Sequence, residues 1–174
     1  IILSIIYILR MGYKLDYKQV MLESEKSLHY GPSVEMISKD IKGGKIIISE
    51  YDNYISFNRV EKVLLLFYKN GDGRQGVELS KEPQLSYVWT EIGRSKRYSS
   101  KRDIVVYGRV NDTSVKKISL ILSNGDISED VIIDNGYFIG IIPWEIRQEK
   151  VYFQNLLAYD ESGEEVFKGV DINF

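Results

Sequence analysis

Short strand-forming runs of apolar and β-branched residues, separated by turn residues, follow one another from Asp103 to Phe174. Ile104, Val106, Gly108 and Val110 alternate with Val105, Tyr107 and Arg109, and Val115–Leu122 sets Ile118, Leu120 and Leu122 on one face. Asn124-Gly125 and Asp134-Asn135-Gly136 are hairpin signals. They bracket a strand at Ile127–Ile133 and lead into Tyr137–Ile142, which Pro143 ends. Val151–Tyr159 and Glu165–Ile172 are joined by the turn Asp160–Gly163. Strands at this regular spacing predict a small β-sandwich over 103–174. Val106, Ile118, Leu120, Phe138, Leu157 and Val170 are its expected inward residues.

The pattern before Asp103 is mixed. Asp16–Tyr30 has helical spacing at Val20, Met21, Ser24 and Leu28, with Asp16 as its cap and Gly31-Pro32 as its stop. Strands follow at Val34–Ile41 and Lys45–Tyr51, separated by Gly43-Gly44, and then Tyr54–Val60 after the turn Asp52-Asn53. Tyr54, Ser56 and Asn58 share one face of that strand; Ile55, Phe57 and Arg59 share the other. Lys62–Lys69 is apolar at its centre, Asn70–Pro83 has the composition of a loop, and Leu85–Ile92 is a further strand. One helix followed by an antiparallel meander predicts an α+β domain over 16–92. The fold class expected is mainly β: that small α+β domain, then the sandwich.

Ile1–Leu9 is apolar apart from Ser4 and Tyr7. A run this short does not cross a bilayer, which needs about 20 residues. It reads as the end of a membrane anchor over 1–15, with Arg10 and Lys14 at the interface. A buried first strand is the competing reading. The expected location is membrane-anchored, with the folded part on the extracytoplasmic side, although positive flanking residues alone argue for the cytoplasm.

Composition narrows the chemistry. The chain has 174 residues and no Cys, so disulfides, thiol nucleophiles and Cys-type zinc sites are excluded. Residues 1–102 carry 17 Lys and Arg against 12 Asp and Glu, a balance of +5, whereas 103–174 carry 6 against 13, a balance of −7. The change of sign coincides with Gly93–Arg102 (GRSKRYSSKR), which reads as a basic linker. It could tether two domains or touch a polyanion. Tyr87, Trp89, Arg94, Lys96, Arg97 and Tyr98 form the candidate recognition surface, with core packing as the rival role for Trp89.

No catalytic, cofactor-binding or metal-binding residue is assigned. Gly71–Gly76 matches the letters of a dinucleotide loop, but no helix pattern follows to receive a pyrophosphate. Read as a calcium loop from Asn70, it has Arg74 and Gln75 where a ligand and Gly are needed. His29 is the single His, and no nucleophile elbow accompanies Ser27 or Ser33. The carboxylates Asp160, Glu161, Glu164 and Glu165 flank a turn and read as solvated.

The segment VVYGRVNDTSVKKISLILSNGD within 103–174 resembles the opening strands of bacterial immunoglobulin-like and fibronectin-type modules. The resemblance implies an Ig-like sandwich and no particular activity. The apolar start, the helix, His29–Ser33 (HYGPS) and the meander resemble uncharacterised membrane-anchored proteins of Gram-positive bacteria. Three functions fit these features. The first is a non-enzymatic, membrane-anchored cell-envelope protein binding a protein or an envelope polymer, with no nucleic-acid partner and no cofactor. The second is a membrane-tethered sensor subunit. The third is a hydrolase whose site the sequence does not reveal.

Overall fold

The computed structural model describes residues 6–7, 9–64, 66–81, 83–93, 102–147 and 151–169, and it is mainly β. The chain forms two compact units, Ile1–Glu78 and Leu79–Phe174.

The first unit is a helix on a four-stranded antiparallel meander. Helix α1 spans Tyr17–Ser27, and β1 (Val34–Ile41), β2 (Gly44–Tyr51), β3 (Tyr54–Val63) and β4 (Phe67–Glu78) lie in that order across the sheet. Asp16 caps α1: its carboxylate accepts from the Lys18 N–H at 2.9 Å. Val20 and Met21 pack on Ile47 of β2 and Val60 of β3. Ile46, Ile48, Ile55 and Phe57, on the other sheet face, are fully buried.

Two expectations change here. Gly71–Gly76 is not a loop but the middle of β4, paired with β3. Its glycines are needed for close approach. A Cβ at Gly71 would stand 2.8 Å from Glu61 Cγ, so neighbouring side chains lie over this edge strand where its own would stand. The apolar centre of Lys62–Lys69 is the tip of the β3–β4 hairpin, with Leu64 and Leu66 70 and 67% exposed.

The second unit is a β-sandwich. One sheet has the order β5 (Leu85–Gly93), β6 (Arg102–Val110), β10 (Tyr137–Ile142), β9 (Val131–Asp134). The other has β12 (Glu165–Lys168), β11 (Phe153–Tyr159), β7 (Lys117–Leu122), β8 (Ile127–Ser128). A short helix, α2 (Trp144–Arg147), follows β10. Leu85, Ile104, Val106, Phe138 and Ile142 from the first sheet meet Ile118, Leu120, Leu122, Phe153, Leu156 and Ala158 from the second in one core.

The boundary therefore falls earlier than the change of charge suggests. Leu85–Ile92 does not belong to the α+β domain: β5 pairs with β6 along its length, from Leu85↔Val110 to Gly93↔Arg102. The basic run joins two paired strands of the same unit instead of linking two domains. The strand expected at Ile127–Ile133 is two strands, β8 and β9, in different sheets. Val106, Ile118, Leu120 and Phe138 are core residues, but Leu157 is not. A register shift between Phe153 and Asn155 turns Leu156 and Ala158 inward in its place. Val170 lies outside the described residues.

Candidate functional site

The far end of α1 is built by an unusual closure. Tyr30 N–H bonds Glu25 C=O at 3.0 Å and His29 N–H bonds Lys26 C=O at 3.2 Å, the paired reversal that ends many helices. The residue at the reversal is His29 with φ 57°, where glycine is usual. Gly31 and a cis Gly31–Pro32 bond then return the chain to β1.

This closure folds around a buried carboxylate. Glu25 is 2% exposed. It accepts from the Ser33 N–H at 3.2 Å and from the Ser33 hydroxyl, and from the Ser49 and Ser56 hydroxyls at 3.0 and 3.3 Å. The Asn58 amide lies at 3.5 Å. A buried charge of this kind is tolerable only because donors surround it. The polar face predicted for β3 is thus covered by α1, and Glu25 joins helix, return loop, β2 and β3. The sequence reading missed Glu25, although its place one turn after Met21 puts it inside the helical stripe.

Beside the closure lies a cleft of about 310 Å³ lined by Leu28, His29, Tyr30, Tyr51, Asp52, Tyr54 and Gly76. The Tyr30 ring lies against Gly76, and its hydroxyl donates to Tyr54 C=O at 2.8 Å. Tyr51 meets Tyr30 edge to face, with centroids 5.6 Å apart, and Tyr51 and Tyr54 keep more than a third of their surface in solvent. The β2–β3 turn between them has both Asp52 and Asn53 at positive φ, the tight hairpin geometry of adjacent strands. Burial raises the Tyr30 phenol above its ordinary pKa, and the Glu25 carboxylate adds to the effect. Among the described residues, the side chains of His29 and Asp52 make no hydrogen bond or ion pair. The cleft offers aromatic faces, an imidazole and a carboxylate to a small ligand or an exposed segment of a partner. None of these residues was predicted as a site beyond the consideration of His29.

Two residues of the predicted surface are described. Tyr87 and Trp89 are half-buried on the sandwich core, with ring centroids 6.0 and 6.5 Å from Phe153. Arg94, Lys96, Arg97 and Tyr98 lie outside the described residues. The carboxylate cluster is divided in role. The Asp160 carboxylate accepts from the Ser162 hydroxyl and from the Ser162 and Glu164 N–H groups, which hold its pKa below the ordinary value. Asp160 therefore builds the β11–β12 turn. Among the described residues no group of three His, Asp or Glu side chains could hold a metal ion.

Comparison with protein-family models, curated proteins and solved structures gives no match for this chain.

Proposed function

We propose that this chain is a non-enzymatic binding module of the cell envelope, held at a membrane by its N-terminal apolar segment and presenting the tyrosine cleft to a protein or envelope polymer. The observation that carries the reading is the division of the first unit's sheet between its two ends. At the Tyr54 end of β3 stands the cleft, with aromatic and polar groups that are not consumed by the fold. At the opposite end, the Lys14 and Tyr68 backbones bond each other at 2.9 and 2.7 Å and tie the N-terminal segment to β4. In that segment Ile6, Tyr7, Leu9 and Met11 are exposed around Arg10. Apolar side chains left in water beside a cation suit a bilayer interface. No helix among the described residues is long and apolar enough to cross a membrane.

The buried state of the Ser–Glu cluster supports a structural role for it. Glu25 and Ser33 are sealed beneath α1, out of reach of a substrate. Cell fractionation tests the membrane-held reading. The protein is expected in the membrane fraction at low and high salt, and to be degraded when protease is added to intact cells. Recovery from the soluble fraction at low salt overturns the anchoring, and survival in intact cells overturns the outward orientation.

A further inference from the structure

The β3–β4 hairpin tip breaks the usual chemistry of a turn. Val63 and Phe67 close the pair, and the three intervening positions in the sequence are leucine. Turns of this length favour Gly or Asn at a positive-φ position, because a side chain crowds the backbone there. Leu64 nevertheless has φ 50°. It is 70% exposed and Leu66 is 67% exposed, the most solvent-open leucines among the described residues. Their apolar surface and the backbone conformation both cost free energy in water. Neither cost is offset by packing within the first unit.

The surroundings are cationic. Gly43 C=O accepts from the Lys62 N–H at 2.8 Å, so the β1–β2 turn with Lys42 stands at the same end of the sheet as Lys62 and the tip. Lys42 and Lys62 are exposed and make no ion pair among the described residues. Tyr68, just beyond the tip, carries the backbone bridge to Lys14. The apolar segment ending at Met11 therefore joins the fold at this same end.

We propose that the β3–β4 tip is a second membrane contact, with Leu64 and Leu66 in the bilayer interface and Lys42 and Lys62 among anionic headgroups. Apolar side chains flanked by lysines match such a surface in both polarity and charge. Two contacts at one end of a sheet fix its orientation on the membrane, which a single flexible anchor does not. This inference builds on the membrane-held reading above, and the test separates the two.

Because the chain has no Cys, a single introduced thiol can be labelled uniquely. Full chains carrying Tyr7→Cys, Leu64→Cys or Asn124→Cys are labelled with an environment-sensitive fluorophore and mixed with vesicles of phosphatidylcholine and phosphatidylglycerol. Labels at 7 and 64 are expected to shift to the blue and to be quenched by brominated lipid, and the label at 124 is expected to stay aqueous. Adding Lys42→Gln and Lys62→Gln is expected to weaken insertion of the label at 64 about tenfold or more. A label at 64 that stays aqueous while that at 7 enters lipid overturns this inference alone. If both stay aqueous, both readings fall. Equal insertion at 64 with pure phosphatidylcholine vesicles overturns the part assigned to the lysines.

Discussion

Gly76 of β4 lies directly beneath the ring of Tyr30, so that a Cβ at position 76 would stand 2.6 Å from Tyr30 Cε2 and 2.7 Å from Tyr54 Cβ. The glycine is therefore what lets the wall of the cleft close. Gly76→Ala is expected to displace the Tyr30 ring and to cost about 1–3 kcal/mol. Urea unfolding gives the cost, and the ring resonances of Tyr30 and Tyr54 give the displacement. Unchanged spectra and stability would show that the ring does not depend on this contact.

His29 occupies a position that glycine fills more cheaply. A left-handed residue with a side chain costs roughly 1–2 kcal/mol, part of which glycine returns through its greater freedom when unfolded. His29→Gly is expected to raise the urea midpoint by a modest amount, while His29→Ala is not. A midpoint lowered by His29→Gly would mean that the imidazole makes a contribution larger than the backbone cost.

Glu25 serves as the joint between α1 and the sheet. Glu25→Ala removes the acceptor for Ser33, Ser49 and Ser56 and leaves their donors buried, at a cost of about 3 kcal/mol or more. Combining Glu25→Leu with Ser49→Ala and Ser56→Ala removes the acceptor together with two of its hydroxyl donors. That triple variant is expected to be more stable than Glu25→Leu alone, because fewer buried groups lack partners. Denaturant unfolding of the set decides it: strict additivity of the three changes would count against a shared network.

Tyr17 contributes to the alkaline response. Burial, together with its hydrogen bond to Glu35 at 3.0 Å, raises its phenol from 10.0 to about 12. The folded-state value lies above the unfolded one. The contribution of Tyr17 to stability is therefore whole below pH 10 and is lost as the pH climbs through about 12. Ring-carbon NMR of labelled tyrosine is expected to show this high titration, reduced but not abolished in Glu35→Gln because burial is the larger cause. A Tyr17 titrating at its ordinary value would contradict its burial and its bond to Glu35.

The two neighbouring leucines of β11 mark where the sequence stops being legible. Period-two counting selects Leu157, yet the bulge after Phe153 gives the core to Leu156. Leu156→Ala is expected to cost about 2–5 kcal/mol, and Leu157→Ala much less. Comparable losses from both would put the register in error.

Other features divide along the same line. The cap at Asp16, the stop at Gly31, the turns and most sandwich strands follow from local chemistry and could be read directly. Three things could not. The strand Leu85–Ile92 took its unit from its hydrogen-bonding partner, which no local pattern names. Gly71–Gly76 looked like a loop because glycines used for close approach have the same letters as glycines used for turning. The cleft was invisible because Tyr30, Tyr51, Tyr54 and Gly76 come from separate elements, and only the register of β2, β3 and β4 brings them together.

The splitting of Ile127–Ile133 has a mechanical consequence. Between Ser128 and Val131 the chain leaves the β7 edge of one sheet and enters the β10 edge of the other. The Ser128 hydroxyl reaches Ile141 C=O at 3.3 Å, and Ile141 N–H reaches Asp130 C=O at 3.1 Å. The crossing thus works as a covalent stitch at one corner of the sandwich. Pulling the sheets apart at that corner therefore has to break both of these hydrogen bonds together with the β8 and β9 pairings.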